Sequence, residues 1–447
     1  SGAYMIPNIK GQVVGVYTST TPVDAYRGAG RPEATYLIER LVDTFASEIG
    51  MDPVELRRKN LIPKEKMPYT VATGITYDSG NYHGALDKAL GLIDYTGFRE
   101  RQAKARKEGH YLGIGVSTYT EICGLGPSQV AGQIGFGGGL YESAIVRVYP
   151  TGVVRAYIGT RPHGQGEETT FAQIVADEFG VPVEHVEIVA GDTESTPQGW
   201  GTYGSRTTAV GGAALKLAAI KVKDKAKKLA AHLLEANEAD LVWKDGKFEV
   251  KGSPGQAKGF AELALMANVA WNMPAGMEPG LEASAFFDPT NFVFPYGTHI
   301  SVVEVDVETG EVTVLRYVCV DDCGPHINPM IVEGQVHGGV IQGIGEALQE
   351  IAIYSDDGQL MTGTMMDYAV PKASQMPRVE SHYTYTPSPV NVLGVKGIGE
   401  AGTIASVPCI VNAVVDALSP LGIKHLDKPL TPARVWAAIQ QAKGAAR

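Results

Sequence analysis

Apolar residues recur at helical spacing in two parts of the chain. The first set follows Pro32 and consists of Leu37, Ile38, Leu41, Val42 and Phe45. The second set is Leu215, Ala218, Val222, Ala226, Leu229 and Leu233. Both spacings predict amphipathic helices, the first ending near Gly50 and the second carrying its lysines on the solvated side. Asp52 before Pro53 is typical of a helix start and predicts a short helix through Arg58.

Strict alternation of apolar and polar positions marks the expected strands. Residues 11–17 read as a strand, while residues 143–159 and 299–318 each read as a hairpin around a glycine-containing turn. Both hairpins lead through glycine-rich sequence into a helical stretch, which suggests a duplicated strand-strand-helix unit, although little beyond the turn is alike. Residues 251–258 and 272–280 are predicted to be surface loops, and residues 62–67 form a plausible domain boundary. Strands and helices without regular alternation indicate an α+β architecture.

Composition narrows the class of protein. The 447 residues are 44% hydrophobic, carry a net charge of −11 and concentrate no basic patch, so a nucleic-acid partner is not expected. Four scattered cysteines predict neither a disulfide framework nor an iron-sulfur or zinc site, and they favour a reduced, cytoplasmic setting. We recognise no apolar run of about twenty residues and no signal peptide, and so expect no membrane span. The start at Ser1 suggests a processed or split subunit.

Four glycine-rich segments carry the candidate chemistry. They are residues 26–31, 163–168, 201–206 and 394–403. Glycine lets backbone N–H groups approach a ligand closely, so such loops suit a large, phosphate-bearing cofactor. None of the loops is a P-loop or a dinucleotide fingerprint, and residues 135–139 are interpreted as a flexible loop.

The amino-acid sequence of these loops and their flanks resembles successive motifs of molybdenum hydroxylase large subunits, the family of xanthine oxidase and aerobic carbon monoxide dehydrogenase. The matching stretches are AYRGAGRPEATYLIERLVD, GTRPHGQGEETTFAQIVADEFG, GDTESTPQGWGTYGSRTTAVGGAA, INPMIVEGQVHGGVIQGIGEAL and GVKGIGEAGTIASVPCIVNAVVDAL. They occur in family order over nearly the whole chain. The resemblance implies the C-terminal half of the subunit, with residues 1–65 ending the first molybdenum-cofactor-binding domain and residues 66–447 forming the second.

The resemblance also implies roles for particular residues. Glu400 corresponds to the catalytic base, and Gln165 is expected beside an oxo ligand of the metal. The remaining cofactor-binding candidates are Arg27, His163, Gly164, Gly204, Ser205, Arg206, Gln335 and Gln342. Which of the two glutamines makes the contact is left open, and the metal is expected on the pterin dithiolene, with no side-chain ligand. Ser406 and Pro408 are predicted to start the helix that supports the Glu400 loop.

Each assignment has a plainer alternative. Glu400 could be a helix cap or a solvated side chain, and Gln165 could cap the following helix. Arg27 could pair with an acidic neighbour such as Glu33, and Arg206 could likewise pair with an acid.

The cofactors and partners follow from the same resemblance. It implies molybdopterin cytosine dinucleotide on this chain, and 2Fe-2S and FAD on an iron-sulfur subunit and an FAD subunit, with the N-terminal half completing the site in a dimer of heteromers. The implied reaction hydroxylates an aldehyde, N-heterocycle or similar carbon with water as the oxygen source. Gly28 stands where copper-containing carbon monoxide oxidisers carry a cysteine. Carbon monoxide oxidation and a non-catalytic scaffold half remain as alternatives.

Overall fold

The computed structural model describes residues 2–133, 135–196 and 198–445. The helices are α1 Arg31–Glu48, α2 Pro53–Asn60, α3 Tyr82–Ile93, α4 Tyr95–Lys107, α5 Ser128–Gln133, α6 Glu167–Phe179, α7 Ala213–Leu233, α8 Phe260–Val269, α9 Pro329–Leu348, α10 Ala401–Leu418 and α11 Pro432–Ala445. A π-helical turn, Thr207–Gly212, leads directly into α7. Short 3-10 turns cover Lys64–Lys66, Val183–His185, Glu238–Asp240, Ala373–Gln375 and Ser419–Leu421.

The strands form sheets of mixed direction. They are β1 Tyr69–Thr70, β2 Thr76–Tyr77, β3 Tyr111–Thr120, β4 Glu142–Val148, β5 Val154–Ile158, β6 Val186–Ala190, β7 Leu241–Lys244, β8 Lys247–Val250, β9 Ser253–Gly259, β10 Leu281–Phe287, β11 Tyr296–Val305, β12 Val312–Asp322 and β13 Val379–Tyr383. The first large sheet has the order β10-β4-β5-β6, and the second has the order β13-β12-β11-β3. The α+β architecture predicted from the sequence is confirmed.

The two large sheets share one construction. In the first, the hairpin β4-β5 is followed by α6 and by β6, which pairs parallel to β5. In the second, the hairpin β11-β12 is followed by α9 and by β13, which pairs parallel to β12. An antiparallel strand completes each sheet beside the hairpin, β10 in one and β3 in the other. The duplicated unit suggested by the sequence is therefore present, and it extends to a further strand.

Separate hydrophobic cores hold the two sheets. The first sheet packs against α6, α7 and α8, and one face of the second packs against α9, α10 and α11. The other face of the second sheet packs against α3 together with Tyr4, Val54 and Leu61 from the start of the chain. The first 62 residues thus share a core with the rest, and the boundary expected near residue 65 stays a prediction.

Helix α10 lies unusually close to β3. A Cβ atom on Gly113 would lie 2.0 Å from the carbonyl oxygen of Ala413, and one on Gly115 would lie 2.0 Å from that of Cys409. Only glycine permits this separation. Residues Ala401–Leu421 are apolar and long enough to cross a membrane, which the sequence analysis did not recognise. However, 78% of the 18-residue apolar stretch within this segment is buried inside the protein, as in the core helix of a globular domain.

Three local predictions are wrong. Residues 11–17 form no strand, because the segment has no neighbouring strand to receive its backbone hydrogen bonds among the described residues; Val13 is 97% exposed. Residues 253–259 are a strand, β9, because β8 supplies a partner edge. Helix α10 begins at Ala401, so Ser406 and Pro408 lie inside it; Ser406 Oγ donates to the Thr403 carbonyl at 3.4 Å.

The other three helices predicted from the sequence are confirmed. Helices α1 and α7 cover the two amphipathic stretches, and α2 starts where Asp52 predicts it. The Asp52 carboxylate accepts hydrogen bonds from the backbone N–H groups of Val54 and Glu55.

Candidate functional site

A cavity of about 990 Å³ lies where the two sheets and their helices meet. Its walls come from the segment before α1, the end of β3 and the loops that follow β5, β6, β12 and β13. The last four loops occupy equivalent places in the duplicated units. Crevices at the carboxyl ends of parallel strands are common ligand sites, and this cavity lies next to two such ends.

Several helix N-termini converge on the cavity. The lining includes Arg31 at the start of α1, Glu167 at the start of α6, Thr207 in the π-helical turn and Asn328 at the N-cap of α9, with Glu400 at the N-cap of α10. Each N-terminus presents unpaired N–H groups and the positive end of a helix dipole. The arrangement therefore favours an anionic ligand such as a phosphate.

Glu400 is held in the cavity wall by three donors. Its Oε2 accepts hydrogen bonds from Arg31 Nη2 at 2.6 Å and Ser205 Oγ at 2.8 Å, and its Oε1 accepts one from the Gly28 backbone N–H at 3.1 Å. The side chain is 14% exposed. Glu400 does not cap α10 with its own side chain. Because Oε1 has a single donor, it retains a lone pair for a ligand in the cavity.

Arg31 joins Glu400 to a second acid that the sequence analysis missed. Arg31 Nη1 donates to Glu121 Oε1 at 3.1 Å, and Glu121 is fully buried. Burial, opposed by the Arg31 charge and reinforced by that of Glu400, raises the pKa of Glu121 to about 8. Arg31 lies in the same motif as Arg27 and could have been singled out with it. Glu121 could have been noticed as a charged residue directly after the uncharged stretch Tyr111–Thr120, which forms β3.

Arg27 fixes the loop that carries Glu400. Its Nε donates to the Gly399 carbonyl at 2.6 Å, and its Nη2 donates to the carbonyl and side-chain oxygens of Gln335 at 3.2 and 3.4 Å. Its Nη1 reaches Gln342 Oε1 at 3.3 Å. Gln335 lines the cavity, whereas Gln342 contacts Arg27 without being part of the lining. The geometry therefore favours Gln335 as the ligand-contacting glutamine.

Gln165 lines the cavity from the turn before α6. Its Oε1 accepts from the His163 backbone N–H at 2.7 Å, and its Nε2 donates to Glu167 Oε1 at 2.5 Å; it makes no cap to α6. His163 and Gly164 line the cavity as well, and Gly164 has a φ of +107°.

Glu167 is a further lining residue that the sequence analysis did not assign. Thr202 Oγ1 donates to its Oε1 at 3.1 Å, and its buried Oε2 has no partner among the described residues. Burial is the main cause that raises the pKa of Glu167 to about 7. A carboxyl group that is partly protonated near neutral pH can donate to a ligand oxygen.

The loop 204–206 divides between the cavity and the core. Gly204 and Ser205 line the cavity, both in the left-handed backbone region at φ +58° and +50°. Arg206 is fully buried and pairs with Glu142, while it also donates to the carbonyls of Leu125, Leu140 and Gly201. The expected contact of Arg206 with cofactor or substrate does not fit this geometry, because its donors are turned into the core.

The lining suits a metal that arrives with its own ligands. In the described parts of the chain, the His, Cys, Asp and Glu side chains close enough to hold an ion are His299, Cys319 and Asp321, and these lie buried in the second sheet rather than on the cavity. Beside the separate carboxylates of Glu167 and Glu400, the cavity offers amide, hydroxyl and backbone groups. These groups match the phosphate, pterin and oxo groups of a molybdopterin better than they match a bare cation.

Comparison with known proteins identifies the family. A molybdopterin cofactor-binding domain model matches residues 88–377, and a second model of the same description matches residues 1–61.

Individual relatives support the same family assignment. The chain is 45% identical to the carbon monoxide dehydrogenase large chain of Hydrogenophaga pseudoflava over 99% of its own length and 55% of the relative's. It is 37% identical to the nicotine 6-hydroxylase large subunit of Paenarthrobacter nicotinovorans, over 98% of this chain and 54% of that one. The quinoline 2-oxidoreductase structure from Pseudomonas putida 86 superposes with a TM-score of 0.89 and 40% identity, covering 94% of this chain and 53% of that one. The chain spans about half the length of these relatives, and it belongs to the family of molybdopterin cofactor-binding domains found in the large subunits of molybdenum-dependent oxidoreductases.

Proposed function

We propose that the chain is the molybdopterin-binding catalytic part of a molybdenum hydroxylase, with Glu400 as the base. The observation that carries the proposal is the convergence of helix N-termini and glycine-rich turns on one cavity, with Glu400 held in its wall by Arg31, Ser205 and the Gly28 N–H. The first feature binds an anionic cofactor, and the second places a carboxylate at the same cavity. A non-catalytic scaffold would not require three donors around a carboxylate in the cavity wall, so the geometry favours a catalytic role over the scaffold alternative.

The bound cofactor would supply the oxygen-transfer and electron-accepting chemistry. Gln165 and Gln335, with the backbone of Gly164 and Gly204, would hold its polar groups, and the helix N-termini would neutralise its phosphates. Glu400 Oε1 would take a proton from the water-derived nucleophile, while Arg31 and Ser205 keep the carboxylate oriented. Arg27 would hold the backbone of the Glu400 loop in place through Gly399.

Gly28 bears on the substrate. It has a φ of +100°, and a Cβ atom there would lie 2.4 Å from Pro32 Cγ. A cysteine does not fit this turn, so the loop offers no thiolate for copper. We therefore favour hydroxylation of an aldehyde, N-heterocycle or similar carbon centre. Carbon monoxide oxidation is the second candidate, because the relative named for it is 45% identical to this chain.

A partner is proposed for an exposed apolar surface. Leu37, Leu41, Phe45 and Ile49 form a stripe along α1, with Leu37 71% exposed, and the unpaired segment 11–17 exposes valines nearby in sequence. Such a surface on one half of a subunit suits the N-terminal half. We further propose iron-sulfur and FAD subunits in a dimer of heteromers, the cytosine dinucleotide form of the cofactor, and a cytoplasmic location, which the four free cysteines favour.

The test uses the full-length subunit purified with its partners. Metal analysis should find molybdenum equimolar with the subunit, and acid release should yield a cytosine nucleotide. The variant Glu400→Gln should keep the molybdenum and lose turnover, because the amide cannot accept the proton. Absence of molybdenum, or turnover retained by Glu400→Gln, would contradict the proposal. Carbon monoxide-dependent dye reduction, compared with dye reduction by aldehydes and N-heterocycles, separates the two candidate reactions.

A further inference from the structure

A second carboxyl group lies behind the proposed base. Glu121 directly follows β3, and its backbone N–H donates to the Pro295 carbonyl at 2.9 Å, which fixes its position. The residue is fully buried. Its Oε1 accepts from Arg31, but its Oε2 has no hydrogen-bond partner among the residues that the structure describes. A buried, ionised carboxylate oxygen without a donor costs more free energy than the same oxygen in a neutral, protonated carboxyl group.

Glu121 and Glu400 share Arg31 unequally. Arg31 Nη2 lies 2.6 Å from Glu400, and Arg31 Nη1 lies 3.1 Å from Glu121. Glu400 also accepts from Ser205 Oγ and the Gly28 N–H, so three donors surround it. One cation cannot compensate two neighbouring carboxylates in a buried setting. The better-solvated and better-bonded acid keeps the negative charge, and the other holds the proton.

We propose that Glu121 is a positioning residue that carries the proton of this carboxyl pair, so that Glu400 is the ionised member and Arg31 is oriented between them. The inference rests on the proposed function of Glu400. It assigns to Glu121 the proton that would otherwise be shared with the base, in the pattern by which unequal surroundings separate two nearby acids into an acid and a base. Glu121 itself does not line the cavity, so it would act through Arg31 and Glu400.

The groups around Glu121 agree with this assignment. Burial and the neighbouring Glu400 raise the pKa of Glu121, while Arg31 and Ser205 lower it, with a net value of about 8. Tyr119, near the end of β3, and Cys123, in the segment after β3, flank Glu121. Each has a raised pKa, so both are neutral. Arg27 adds a more distant positive charge. Arg31 is therefore the cation in direct contact with Glu121 in the described structure.

The test compares Glu121→Gln with Glu121→Leu in the full-length, cofactor-loaded complex. Glutamine reproduces a neutral, hydrogen-bonding side chain, so turnover near pH 7 should stay within about threefold of the wild type. Leucine removes the Arg31 contact and should lower kcat by roughly 10–100-fold with molybdenum retained. If glutamine proves as damaging as leucine, the ionised form of Glu121 is required and the proposal is overturned.

A second measurement does not depend on turnover. Infrared spectra recorded from about pH 6 to about pH 10 should show a protonated-carboxyl band that disappears with a midpoint near pH 8. The band with this midpoint should be missing from Glu121→Gln and present in Glu167→Gln, which removes another acid of raised pKa. Persistence of the band in Glu121→Gln would overturn the proposal even if the leucine variant does not fold. Failure of the base role would instead appear as turnover retained in Glu400→Gln, while the band of the wild type still disappears near pH 8 and is still missing from Glu121→Gln.

Discussion

Ser205 and Glu400 are 195 residues apart in the chain, yet Ser205 Oγ donates to Glu400 Oε2 at 2.8 Å. Ser205 adopts a left-handed backbone conformation, with φ at +50°, that glycine normally occupies. This conformation costs a non-glycine residue free energy, and the hydrogen bond from the Ser205 hydroxyl to Glu400 offsets part of that cost. The hydrogen bond connects the loop before α7 to the N-terminus of α10, across the cavity wall.

Replacing Ser205 by alanine should weaken turnover without removing the cofactor. The lost bond is charge-assisted, so we expect kcat to fall by about 10-fold to 100-fold. Steady-state kinetics and molybdenum content of the full-length complex measure both effects. Ser195→Ala is the matched control, because Ser195 does not line the cavity and, within the described residues, its hydroxyl donates to Asp192 in the same turn. Equal kinetics for Ser205→Ala and wild type would show that Ser205 does not orient the base.

Gln335 and Gln342 should differ in their effect on cofactor retention. Both accept a hydrogen bond from Arg27, but Gln335 lines the cavity and Gln342 does not. We expect Gln335→Ala to weaken cofactor binding by roughly 10–100-fold, whereas Gln342→Ala should leave it near the wild-type value. Molybdenum content after dialysis measures this. The reverse order would mean that the cofactor reaches deeper along α9 than the cavity does.

The Arg206–Glu142 pair should matter for stability. Both side chains are fully buried, so Arg206→Met leaves Glu142 without its counter-charge and should cost about 3–5 kcal/mol in the free energy of unfolding. The double change Arg206→Met with Glu142→Met should recover part of this loss, because it removes both buried charges. Urea unfolding measures the three proteins. Arg155→Ala, which breaks the exposed pair with Glu187, should have a much smaller effect.

Stability should fall as the pH rises through neutrality. Glu167 and Glu121 have pKa values raised to about 7 and about 8, so the folded state binds more protons than the unfolded chain above the ordinary pKa of 4.5. Their contribution is fully present below pH 4.5 and is lost as the pH passes the folded-state values. Glu167→Gln should therefore lose less stability than the wild type between about pH 5 and about pH 8. Denaturant unfolding at the two pH values checks this, and an unchanged pH dependence would contradict it.

Local order was largely predictable from the sequence. The apolar spacing located α1 and α7, Asp52 located the start of α2, and alternation located both hairpins, because these features depend on neighbours a few residues away. The errors lie where a distant partner decides. Residues 11–17 alternate like a strand but have no sheet beside them in the described structure. Residues 253–259 look like a loop but form a strand, because they pair antiparallel with β8.

The site divides in the same way. The glycine-rich turns by themselves predicted a phosphate-bearing cofactor, and the resemblance of their motifs to molybdenum hydroxylases added the candidates Arg27, Gln165, Ser205, Gln335 and Glu400. Folding decided that Arg206 faces the core and that Gln342 stops short of the cavity. It also brought Glu121 and Arg31 to Glu400, since charge pairing in a buried place depends on which strands and helices meet there. The sequence thus determined which chemical groups this protein carries, and tertiary contacts decided which of those groups lie close enough to form charged pairs.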